Sequence, residues 1–168
     1  MPVHVAVLGP GEAGPEACAQ AREVGRLLAE RGAVVFTGGL GGVMAAAAQG
    51  AASAGGMSVG LLPGTDRSAG NSGSTVLIPT GLGELRNAML IRCADSAIAV
   101  GGSWGTLSEI ALAGRAGKPV VCLGGWSVHD GDGVPLPLVT AVSAAEAVQL
   151  ALAEPRVPPP TGQGKMDG

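Results

Sequence analysis

Ser96-Ala97-Ile98-Ala99-Val100-Gly101-Gly102-Ser103-Trp104-Gly105-Thr106-Leu107-Ser108-Glu109 runs from an apolar stretch through a glycine-rich bend into a helix-forming segment. A short apolar run closed by turn residues predicts a strand buried on both faces. Glycine lets backbone come close to an anion, and a helix start supplies unpaired N–H groups and a favourable dipole. Thr37-Gly38-Gly39-Leu40-Gly41-Gly42-Val43-Met44 has the same build, between a strand expected at 33–36 and a helix expected at 43–54. Two such bends predict a pocket for a phosphorylated small molecule. Gly38, Gly39, Gly41, Gly42 and Met44 form one candidate wall; Gly102, Ser103, Trp104, Gly105 and Thr106 form the other.

Outward from these bends, apolar runs and helix signals alternate. Strands are expected at 3–8, 58–62, 75–78 and 120–123, and helices at 15–31, 83–94, 106–115 and 143–153. Thr106-x-x-Glu109 and Ser143-x-x-Glu146 both have capping-box spacing. Strands joined through helices predict a parallel sheet covered on both faces, an α/β, doubly wound, Rossmann-like single domain. Ligands in such sheets sit beyond the carboxyl ends of the strands, where both glycine bends fall. The domain is expected over 1–154. The segment 155–168, with four prolines, is expected to be a disordered tail.

Composition narrows the partners. A net charge of −3 without a dense Lys/Arg run, and few aromatics, argue against nucleic acid. No stretch is long and apolar enough to span a bilayer, and no signal-peptide pattern opens the chain, so a cytoplasmic protein is expected. Cys18, Cys93 and Cys122 are widely spaced in apolar segments and read as reduced packing residues. His4 and His129, even with Asp130 and Asp132 beside the latter, lack the spacing of a metal site, and no metal ligands are expected.

The bend at 101–109 resembles the Pro-Gly-Gly-x-Gly-Thr-x-x-Glu motif of the lonely guy (LOG/SLOG) superfamily, once mislabelled lysine decarboxylases. The bend at 37–45 resembles its Gly-Gly-Gly-x-x-Gly-Leu-Met-Gly motif, and Arg86 matches an arginine on the helix between them. The resemblance implies cofactor-free hydrolysis of the N-glycosidic bond of nucleoside 5′-monophosphates, with Arg86 and Glu109 as catalytic residues. It also implies a homodimer or higher homo-oligomer. The chain departs from that pattern at Thr37, Ala45, Gly101 and Ser103, and at Asn87, which replaces a lysine and joins the candidate binding residues.

Leu62-Pro63-Gly64-Thr65-Asp66-Arg67 and Ile78-Pro79-Thr80-Gly81-Leu82-Gly83 resemble a side branch that includes molybdenum cofactor carrier proteins. There the implied ligand is a phosphorylated pterin, carried and not cleaved.

Arg86 offers a planar fork to a phosphate, or orients Glu109; an ion pair with Glu84 or a neighbouring acid is the structural alternative. Glu109, expected in the first turn of its helix, suits ribose hydroxyls or water activation, or simple capping. Within the loop at 64–74, Asp66, Arg67 and Asn71 either close over the ligand or form a solvated turn. Trp104 suits ring stacking or an interface, and Met89 reads as core or interface. The small residues of the helices at 43–54 and 83–94 suggest burial against a second copy.

Overall fold

The structure, a computed structural model, describes residues 1–136 and 138–153; the expected domain end at 154 and the tail at 155–168 lie outside the described residues. In chain order the elements are β1 (His4–Leu8), α1 (Pro15–Glu30), β2 (Val34–Thr37), α2 (Gly42–Ser53), β3 (Ser58–Leu62) and β4 (Val76–Pro79). Then follow α3 (Arg86–Cys93), β5 (Ser96–Val100), α4 (Trp104–Arg115), β6 (Val120–Leu123), β7 (Val139–Ala141) and α5 (Ala144–Leu152). The seven strands among the described residues are all parallel, in the order β4-β3-β2-β1-β5-β6-β7. This is the doubly wound α/β, Rossmann-like sheet that the alternation predicts.

The alternation of side chains along each strand divides the core into two layers. Val5, Val7, Val35, Ile98, Val100, Val121 and Leu123 face α1, α2 and α5. Ala6, Leu8, Phe36, Val59, Leu61, Ala97, Ala99 and Cys122 face α3 and α4. The strand order reverses between β1 and β5, so the crevice for a ligand opens where the bends after β1 and β5 part.

Helix α2 is packed inside its own chain. Gly25 lies against the Ala47 carbonyl and Gly50 against the Arg22 carbonyl, leaving no room for a Cβ on either. The small residues at 43–54 therefore serve the α1–α2 contact. Strand β7 is absent from the sequence reading. It is three residues long, and Val139 and Thr140 are exposed at the sheet edge, so it lacks the apolar run that marks an inner strand.

Candidate functional site

Both glycine bends stand at the carboxyl edge, on β2 and β5, with the bend after β1 between them. A Cβ on Gly9 would fall 2.5 Å from Val43 Cγ1 and 2.7 Å from the Val100 carbonyl oxygen. The Val43 amide donates to the Pro10 carbonyl at 3.1 Å. The three bends are thus locked side by side, and the segment at 9–11, which sequence motifs did not single out, is the spacer that sets their separation.

In the first bend, Asn71 donates its amide to the Gly39 carbonyl (2.9 Å) and its side-chain Nδ2 to the Leu40 carbonyl (3.0 Å). Its Oδ1 accepts from the amides of Gly73 and Ser74. Asn71 therefore ties the 64–74 loop to the first bend. Asp66 accepts from Ser68 and caps a short 3₁₀ turn over Arg67–Ala69, and Arg67 is exposed. With its carbonyls held from behind, the bend leaves the amides of Leu40, Gly41 and Gly42 without acceptors among the described residues. Met44 is buried, its sulfur against Gly38.

The second bend differs from its expected form. Helix α4 begins at Trp104, two residues before the predicted start, and Ser103 is its N-cap. Ser103 Oγ accepts from the Thr106 amide at 3.2 Å and shares a hydrogen bond with Thr106 Oγ1 at 2.9 Å. The box Thr106-x-x-Glu109 is thus not a cap, and Glu109 occupies the second turn of the helix. The signal was present as Ser103-x-x-Thr106, a serine three residues before a hydroxyl. Thr106 is buried with its amide already paired, while the amides of Trp104 and Gly105 have no acceptor among the described residues. At α5 Ser143 caps the helix as expected, its Oγ accepting from the Glu146 amide, while the Glu146 carboxylate accepts from the amide of Val142, one residue before the cap.

Arg86 and Glu109 meet beneath the bends. Arg86 opens α3, packs its guanidinium against Gly38, and places Nη1 3.4 Å from Glu109 Oε1. Each residue is 8% exposed, and Glu84 is not the partner. The separation is longer than a tight charge-assisted bond, and Arg86 Nε is buried without a hydrogen-bond partner. Burial outweighs the attraction for both groups. It pushes the Glu109 carboxyl up to about 7 against the pull of Arg86, and lowers the Arg86 guanidinium from its ordinary value. Asn87, next on α3, is half-buried.

Trp126, which the sequence reading passed over, covers the second bend. A Cβ on Gly102 would lie 2.7 Å from Trp126 Cδ1. Trp126 also meets Trp104 edge to face, with ring centroids 4.8 Å apart, and Trp104 is 79% exposed. Among the described residues no group of three or more His, Cys, Asp or Glu is arranged to hold a metal. Asp130 accepts from the amides of Asp132 and Val134, making a turn. None of the described helices is long and apolar enough to cross a membrane.

An open parallel sheet with glycine bends at its reversal defines the class: single-domain α/β proteins of Rossmann-like fold. Residues 2–152 match the SLOG cluster4 family, and the chain belongs to it. An uncharacterized protein of Archaeoglobus fulgidus is 43% identical over 121 residues, covering 72% of this chain and 80% of the relative. The structure of the molybdenum cofactor binding protein from Rippkaea orientalis is 34% identical with a TM-score of 0.79, covering 89% of this chain and 95% of that one. The molybdenum cofactor carrier protein from Chlamydomonas reinhardtii is 32% identical with a TM-score of 0.75, covering 89% and 98%.

Proposed function

We propose that this protein binds a phosphorylated pterin, with molybdenum cofactor as the candidate cargo, and carries it without cleavage. The observation that carries this reading is the likeness, above 30% identity over nine-tenths of the chain, to a molybdenum cofactor binding protein and a carrier protein. The residues present suit a phosphate: amides at 40–42 and 104–105 lack acceptors among the described residues, and Gly105 leaves space before its helix. The indoles of Trp104 and Trp126 supply flat apolar surface beside them.

Hydrolysis of a nucleoside 5′-monophosphate is the second reading, and one observation favours it. A buried glutamate titrating near 7 is suited to move a proton at neutral pH. Calorimetry with neopterin monophosphate and with adenosine monophosphate, followed by chromatography of the mixtures, separates the two. The carrier reading expects pterin phosphate to bind tighter and no base to appear. Free base released by the native chain but not by Glu109→Ala would replace it with the hydrolase.

The same reading includes a cytoplasmic location and a homodimer or higher oligomer. Val76 and Ile78, which face the α3 side of the sheet, and Leu82, Leu85 and Met89 around α3 are exposed apolar residues. A second copy covers this strip. Light scattering tests it: the native chain should exceed its 16.2 kDa monomer mass, and Leu85→Lys should approach it.

A further inference from the structure

After β6 the backbone at 124–136 arches beside the carboxyl ends of β6 and β7, beside a hollow of about 370 Å³. Trp126, Val128, Leu136, Leu138 and Thr140 wall it, with Cys122 behind them. The outer arm is held in shape by a bridge between His129 and Pro135 and by the Asp130 turn. Its volume is that of a small-molecule site. Its chemistry is wrong for a phosphate: among the described residues it is lined mainly by aliphatic side chains and an indole, with the hydroxyls of Ser127 and Thr140 and no cationic group.

The hollow adjoins the second glycine bend. Cys122, Gly124 and Trp126 line both it and the narrow recess formed by Gly101, Gly102, Ser103 and Thr106. A ligand anchored by an anion at the α4 start therefore has one neighbouring apolar space reached past Trp126. Leu136 and Trp126, which line this space, are 44% and 41% exposed, and a flat ring laid on them would remove apolar surface from water.

We infer that the hollow is the ring subsite of this protein: a fused heteroaromatic ring lies against Trp126 and Leu136 while its phosphate rests on the bend at 101–106. The inference rests on the reading of the protein as a binder of a phosphorylated pterin. It adds where the ring goes and which residues select a flat bicycle over a bare sugar phosphate.

The test fills the hollow from two sides. Leu136→Trp and Thr140→Trp alter exposed positions on separate segments, and thermal melts establish that each folds. Calorimetry then uses three probes: neopterin monophosphate, unphosphorylated neopterin and inorganic phosphate. Both variants should bind neopterin monophosphate about tenfold more weakly, the scale of losing one ring-on-aromatic contact, while inorganic phosphate protects them as it does the native chain. Native affinity for neopterin monophosphate in both folded variants overturns the subsite and leaves the binding reading standing. An equal loss for inorganic phosphate also overturns it, since the effect then lies at the anion and not the ring. If the native chain binds none of the probes, the underlying reading fails and the subsite with it.

Discussion

The two glycine bends look alike in sequence and are different objects in space. In the first, glycine is demanded by the protein itself: Gly38 faces the Arg86 guanidinium, and Gly42, at φ +57°, faces the Pro10 carbonyl. In the second, a Cβ on Gly105 would meet nothing nearer than Ser103 Oγ at 3.8 Å. The first bend is packed along its length, whereas the second is packed at Gly102, under Trp126, and opens onto free space at Gly105. A glycine motif therefore reports two requirements, close internal packing and clearance for a ligand, and only coordinates separate them.

Arg86 lies under the first bend and Glu109 on the helix of the second, so breaking their pair gives the largest expected effect. Arg86→Met removes the cation and its packing against Gly38 and should cost about 2–4 kcal/mol in urea unfolding. Glu109→Gln has the shape of the protonated carboxyl that burial favours and should cost less than about 1 kcal/mol at pH 7. The reverse ranking would show that the pair is not held as described.

Gly42→Ala puts a side chain at a positive φ against the Pro10 carbonyl, and should cost about 2–4 kcal/mol, read as a lowered Tm. A smaller loss would mean that the wall yields and that the contrast between the bends is shallower.

The pH dependence follows from the raised Glu109 carboxyl. Between its ordinary value of 4.5 and about 7 the folded chain holds a proton that the unfolded chain has released. Stability from this group is therefore full at low pH and falls as pH rises, by about 2–3 kcal/mol from about pH 4.5 to about pH 8. Urea titrations across that range should show the decline in the native chain and lose it in Glu109→Gln.

The smallest effect is the sharpest for the comparison. Gly105→Ala sits in the first turn of α4 and should raise stability by about 0.5–1 kcal/mol. Its methyl group would occupy the clearance beside the free amides, so inorganic phosphate should protect the variant less than the native chain in thermal melts. A variant stabilised and still protected would make the second bend a plain connection.

The inner strands were legible because burial on both faces writes a continuous apolar run, as in 58–62 and 96–100. Strand β7 was not, since at an exposed edge Val139 and Thr140 need not be apolar on both sides. The placement of both bends at the carboxyl ends of their strands and the pairing of Arg86 with Glu109 followed motif order. The true α4 cap did not, because Thr106-x-x-Glu109 has full capping-box spacing whereas Ser103 has a threonine, not a Glu or Gln, three residues on. Nor did sequence show that Asn71 is a tie, for its partners Gly39 and Leu40 lie more than thirty positions upstream. The role of α2 escaped for the same reason: Gly25 and the Ala47 carbonyl meet only once the helices dock.

That docking has a mechanical consequence. Gly50 touches α1 two turns along α2 from the first bend, roughly 12 Å at the helical rise. Helix α2 is a stiff rod clamped at its far end, and the clamp fixes where its near end points. A bulkier residue at position 50 would lever the rod outward and move the amides at 40–42 without touching them, so their aim is set from a distance.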